Sequence, residues 1–395
     1  MKGANYLEKL LDNQPVEWKK LGEIGIFQRG TSFQKKHFTD EGIPCIHYGQ
    51  IYTRYNLSAD KTISFLSPEF ASRARKAQSG DLIIATTSEN DEDVCKAIAW
   101  EGQEEVVVSN DACFYHHTMH PRYVAYFFQT EQFQKQKRSY ITGTKVRRVN
   151  ANDLARIEIP IPPLSVQSRI VEILDKFTSL EAELEAELEL RKKQYAYYRE
   201  QLLNFSYTPP SEFNVVYRKL GEVADYEQPT AYLVKDTKYK EDYPTPVLTA
   251  GKTFILGYTN ETEGIYEASK HPTIIFDDFT TALRWVDFDF KAKSSAMKMI
   301  TSKDENVCLL KYIYYWLCTV PSEVVVGDHK RQWISNYANK DFPLPPLSEQ
   351  ERIVEILDKF DTLTNSISEG LPLEIQLRRQ QYEYYREQLL AFPYA

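Results

Sequence analysis

Two short constellations have the residue types for metal chemistry, and two basic stretches have those for gripping a phosphate or a base. Cys113, His116, His117 and His120 stand three and four residues apart, and zinc takes thiolate and imidazole ligands in tetrahedral sets. Glu105 to Tyr115 reads as a strand running into a loop, however, and no second ligand pair stands at a distance, so no metal is expected. Asp277-Asp278 with Asp289-Phe290-Lys291 imitates the acidic pair and acid-x-lysine spacing that holds magnesium against a phosphate in a nuclease. The same residues read as an ordinary hairpin of aromatic-rich strands, and the first half of the chain has no equivalent. A fused metal-dependent endonuclease using Asp278, Asp289 and Lys291 is therefore the enzyme alternative, with no catalytic residue in the leading reading.

The basic stretches suit nucleic acid better. Lys135, Lys137, Arg138, Tyr140, Thr142, Gly143, Thr144, Lys145, Arg147 and Arg148 form the first. His329, Lys330, Arg331, Gln332 and Trp333 form the second, at the same place relative to a following helix. Arginine and lysine bind guanine edges or phosphates, while glutamine, threonine and glycine suit close approach to a groove. The plain alternative for each is a solvated basic loop.

Several function classes lack their usual residues. There is no GxGxxG after a strand, no GxxxxGK[ST] phosphate loop and no Asn-Pro-Pro-aromatic tetrad, so no nucleotide or methyl-donor cofactor is expected. The net charge of −8 disfavours nucleic acid at first sight. Residues 1–160 carry 21 basic and 20 acidic side chains, however, whereas residues 343–395 carry 5 and 9. The acidity is thus partly segregated, and a DNA-binding role needs partners to supply some of the phosphate neutralisation. The five cysteines make no CxxC pair, which suits a reduced, cytoplasmic setting, and no run is apolar enough for a membrane span.

The elements that must position these residues occur twice. RIVEILDKF reads identically at 169–177 and 352–360, and YxYYREQLL follows at 195–203 and 382–390. Both copies open on a proline-rich stop, at Pro160 and Pro343, and KLGE recurs at the start of each half. A long period of this kind fixes the architecture first. Residues 1–160 and 206–342 read as compact α+β domains, residues 161–205 as a helical spacer and 343–395 as a distal helix. Residues 1–13 suggest a short amphipathic helix.

No proline or glycine interrupts Ser165 to Leu203, and Ser165 and Ser348 are the expected N-caps, with Glu351 completing a capping box. At 1.5 Å per residue this helix extends about 58 Å. Ile170, Ile173, Leu174, Phe177, Leu180, Leu184, Tyr195, Tyr198 and Leu202 recur at helical spacing, matched by Ile353, Ile356, Leu357, Phe360, Tyr382, Tyr385 and Leu389. An apolar stripe needs a partner, and the other copy is the obvious one, giving an antiparallel coiled coil between two domains. Gly370 and Pro372 are expected to break or kink the second copy. A coiled-coil adaptor that binds only proteins fits these helices as a further alternative.

The doubled Pro-x-Pro-Pro-Leu-Ser-x-Gln-x-x-Ile-Val-x-x-Leu-Asp, at Pro160–Asp175 and Pro343–Asp358, resembles the specificity subunit of type I restriction–modification enzymes. That resemblance implies two target recognition domains in pseudo-twofold arrangement, each contacting one half of a bipartite double-stranded DNA site. It implies two long helices that set the spacing and dock two methyltransferase subunits, with restriction/translocase subunits joining through the complex. No catalytic residue or cofactor carries over from such a subunit. The family varies the number of tetrapeptides in the central helix, and Leu180-Glu-Ala-Glu-Leu184-Glu-Ala-Glu187 is similar in kind.

Overall fold

Each half begins by pairing its first strand with its last. Glu17–Lys20 runs antiparallel to Glu158–Ile161, with Trp18 opposite Pro160. Val216–Lys219 runs antiparallel to Asp341–Leu344, with Tyr217 opposite Pro343. Proline has no N–H to give a sheet, so these prolines suit two-stranded ribbons, where one strand edge needs no partner. The KLGE sequence forms a helical turn after each first strand, and its leucines, Leu21 and Leu220, are fully buried.

The computed structural model describes residues 6–12, 14–205, 214–251, 253–322 and 331–392. It divides into two compact units, Met1–Leu184 with Ile375–Ala395, and Glu185–Glu374. These units cut across the segments 161–205 and 343–395, because each takes one end of each repeated helix.

The first unit holds two five-stranded sheets. One is centred on Leu82–Ala85 and Ala112–His117, the other on Ile43–Ile46 and Val106–Val108. Tyr123, Val124, Tyr126 and Phe127 from the helix Pro121–Phe127 share one buried cluster with Ile170 and Leu174 of the following long helix. Leu389 and Leu390 join that cluster from the end of the chain, as does Leu7 of the short helix Tyr6–Leu11.

The second unit is simpler, with a four-stranded and a three-stranded sheet. Thr273–Asp277 lies inside the larger sheet and is buried throughout. The helix Leu310–Leu317 packs on Leu347–Asn365, and Tyr312 and Tyr315 share a cluster with Ile353, Leu357, Tyr195 and Leu203.

The long helix runs unbroken over Leu164–Leu203. The second copy is two helices, Leu347–Asn365 and Gly370–Leu390. Gly370 has φ +79°, and a Cβ there would sit 2.4 Å from the Thr362 carbonyl oxygen, so only glycine fits the join. Pro372 falls in the first turn of the new helix, where its missing N–H costs nothing.

The expected serine caps are corrected. The helices start at Leu164 and Leu347, one residue before Ser165 and Ser348, and Pro346 occupies the cap of the second without a side-chain bond. The buried glutamines of the motif tie these ends instead. Gln167 donates to Pro162 O (2.8 Å) and accepts from His120 N (2.9 Å). Gln350 donates to Pro345 O and Val307 O (3.0 Å each) and accepts from Leu309 N (2.9 Å).

Candidate nucleic-acid interface

The first basic stretch folds into a helix followed by a hairpin. Thr130 caps the helix Glu131–Arg138, whose apolar side buries Phe133. The hairpin is closed by reciprocal backbone bonds of 2.9 Å between Thr142 and Arg148, with Gly143 at φ +89° making the turn. Arg147–Arg148 then pairs with Thr87–Ser88, which fixes the hairpin to the sheet.

The hairpin presents Thr142, Gly143, Thr144, Lys145 and Arg148 to solvent. Arg147 is turned to structural use, donating to Gly143 O (2.6 Å) and pairing with Asp91 (2.8 Å). Lys135 and Arg138 are exposed on the helix, Arg138 beside Glu131 at 3.2 Å, while half-buried Tyr140 packs on the core.

Lys137 is a correction. It is 0% exposed, and its ammonium donates to Glu92 O and Val94 O at 2.9 Å each. Burial lowers its pKa, and a cation so enclosed cannot reach DNA. Its work is to hold the loop that carries Asp91.

In the second domain, Arg331 is exposed and Gln332 half-buried. Trp333 is a second correction: it is 2% exposed, packs on Phe276, and its backbone N–H donates to Asp278 at 2.8 Å. No base can stack on it there. His329 and Lys330 lie outside the described residues.

The metal-like constellations do not converge. Cys113 and His117 share one face of the strand Ala112–His117, while His116 points to the other and meets Asp81 at 2.7 Å. Asp278 sits 3.7 Å from buried Lys298, Asp289 accepts from Ser269, and Lys291 is buried against Glu261 at 3.0 Å. Among the described residues no group of three or more His, Cys, Asp or Glu could hold a metal ion, and no helix is long and apolar enough to cross a membrane.

The repeated helices pair antiparallel within each unit, RIVEILDKF of one copy meeting YxYYREQLL of the other. Phe177 stacks on Tyr385 (5.3 Å between ring centres), and Tyr198 stacks on Phe360 (5.5 Å). Arg379 pairs with Glu181 further along the first pair. Ile170, Leu174, Ile353, Leu357 and Leu389 are fully buried, and Ile173, Leu202, Phe360 and Tyr382 pack beside them. Leu184 is buried, whereas Leu180 and Ile356 are half-buried.

The expected apolar stripe included Tyr198 and Tyr385 but not the tyrosine immediately before each. Tyr197 stands edge-on to Tyr198 at 5.5 Å and Tyr384 edge-on to Tyr385 at 5.4 Å, and the outer rings are 59% and 61% exposed. The same exposed aromatic face is therefore built twice. The doubled YY in YxYYREQLL was its signal.

The profile of the family described as "Type I restriction modification DNA specificity domain" matches this chain twice, at residues 13–190 and 212–377. The chain belongs to that family. The chain is 63% identical to the Escherichia coli EcoR124I/EcoR124II specificity subunit over 180 residues, a match spanning 44% of each protein. It is 33% identical over 98% of its length to a type I restriction enzyme specificity subunit of Haemophilus influenzae, covering 98% of that protein. The crystal structure of a type I restriction–modification S subunit from M. genitalium shares the fold (TM-score 0.58, 13% identity, 97% of this chain and 98% of that one). Specificity subunits of type I restriction–modification systems are non-catalytic.

Proposed function

We propose that each domain reads one half of a bipartite duplex DNA sequence, and that the paired helices set the gap between the halves. The duplicated aromatic faces dock two methyltransferase subunits, through which restriction/translocase subunits join. The methyl donor and the nuclease belong to those partners. The observation that carries this is the duplication of whole contact sets: each domain is fastened to its own helix by the same glutamine, tyrosine and aspartate. A chain built to present two similar domains and two similar faces suits a divided target and paired partners.

In the first domain the reading surface is the hairpin, with Thr142, Thr144, Lys145 and Arg148 available to a groove. The test is methylation mapping by the complex assembled with its methyltransferase, comparing wild type with Lys145→Ala/Arg148→Ala. Recognition of one half-site should weaken while the other half-site and the assembly persist. If assembly fails while preformed complex still binds DNA, the hairpin faces protein and the assignment falls.

A further inference from the structure

We infer that the cleft beside the Thr142–Arg148 hairpin reads a G·C pair in the major groove, with Arg29 and Arg148 as donors and Asp111 as acceptor. The inference rests on the proposal that the first domain contacts duplex DNA, and it adds Arg29 and Asp111 to the basic hairpin. The cleft has a volume of about 270 Å³ and is lined by Arg29, Arg148, Asp111, Asn110 and Thr142 among others. Four separate parts of the chain build it: the end of the strand Gly25–Arg29, Thr86 and Thr87, the turn into Ala112–His117, and the hairpin with the residues just after it.

Four of these side chains are uncommitted or nearly so. Among the described residues the only bond made by the Arg29 side chain is from Nε to Asn110 O at 3.1 Å, which leaves both terminal nitrogens of the guanidinium. Among the described residues the Arg148 guanidinium, the Asp111 carboxylate and the Asn110 amide make no hydrogen bond or ion pair. On the same domain Arg147 is taken up by Asp91 and Arg122 by Glu101. Two open guanidiniums and an open carboxylate thus share one recess without neutralising each other.

That mixture selects the ligand. A phosphate wants donors alone, and a carboxylate in its seat repels it. The major-groove edge of a G·C pair offers N7 and O6 of guanine as acceptors and the N4 amino group of cytosine as donor. Arginines beside an aspartate match that pattern in both signs. An A·T pair also has two acceptors and one amino group, but there the amino group separates the acceptors, so the Arg29 fork finds no adjacent pair of acceptors such as guanine N7 and O6 provide.

The experiment is equilibrium binding by the assembled methyltransferase complex at one fixed salt concentration. The probes are the duplex that the wild-type complex methylates and a panel changed one base pair at a time. Arg29→Ala should lose about tenfold to a hundredfold of discrimination at one G·C position in one half-site. Asp111→Asn should relax the same position, and the other half-site should be read as before. Arg29→Lys, which keeps the charge but not the fork, should fail at that position too, and it stands in if Arg29→Ala does not fold. Equal weakening on every duplex with a shallower salt dependence would make the cleft a phosphate seat and overturn the proposal. Unchanged discrimination in Arg29→Ala and Asp111→Asn would overturn it as well, leaving DNA reading by the domain intact. A wild-type complex that prefers no duplex over scrambled DNA would instead remove the underlying reading.

Discussion

Tyr126 donates its hydroxyl to the Asp175 carboxylate at 2.6 Å, fastening the first domain to the long helix that follows it. Arg122, one turn earlier, reaches the same carboxylate at 2.6 Å while holding Glu101 with two bonds of 2.7 and 2.6 Å. In the second domain Tyr315 donates to Asp358, and Lys311 takes the place of the arginine, 3.5 Å from that aspartate and over the Trp285 ring at 4.2 Å. Tyr123 and Tyr312 complete the repeat by donating to the carbonyls of Pro160 and Pro343, each at 3.0 Å.

A hydrogen bond to a charged group contributes about 1.5–3 kcal/mol, so Tyr126→Phe should destabilise by about that amount. Tyr315→Phe should cost a similar amount in the second domain. Urea denaturation followed by tryptophan fluorescence measures both. A change below about 0.5 kcal/mol in each would show that the clamps do not hold the domains to their helices.

Acid should loosen the first domain through His117. Burial, reinforced by neighbouring His116, lowers this imidazole from the ordinary 6.5 to about 4. The unfolded chain takes up a proton near pH 6.5, while the folded chain resists until about pH 4. Stability from this group is thus complete above pH 6.5 and is lost as pH falls between those values, by roughly 3 kcal/mol at most. Comparing urea midpoints at pH 7 and pH 4.5, His117→Gln should fall less than wild type. Parallel falls in the two proteins would assign the acid sensitivity elsewhere.

The exposed tyrosines should govern stoichiometry. If each aromatic face docks one methyltransferase, Tyr197→Ala and Tyr384→Ala should each lose one copy, and the double variant both. Buried aromatic anchors at an interface cost about 2 kcal/mol or more when truncated, roughly a thirtyfold weakening. Native mass spectrometry of the co-purified complexes reads the outcome directly. Two partners retained by all three variants would move the docking surface off these helices.

Much of this was legible because repetition in sequence became repetition in contacts. The 40-residue helix, its broken second copy and the antiparallel meeting of Phe177 with Tyr385 follow from spacing, Gly370 and the apolar stripe. What composition cannot convey is direction. Lys137 and Arg138 are neighbours of the same charge, yet one is enclosed by the carbonyls of Glu92 and Val94, which lie far away in sequence. Trp333 is likewise drawn inward by Phe276 and Asp278. Gln167 and Gln350 stood in the repeated motif, but their partners His120 and Leu309 are more than 40 positions away. The Arg29 cleft was hidden for the same reason, since a strand, a turn and a hairpin meet there only in the fold.

The division of labour between domains and helices is tested most directly by deleting Leu184–Glu187, which spans the boundary between the two compact units. Four helical residues carry about 6 Å of rise and about 40° of rotation. Genome-wide methylation mapping of the assembled complex should then show both half-sites unchanged at a shorter gap. Altered half-sites at an unchanged gap would contradict it.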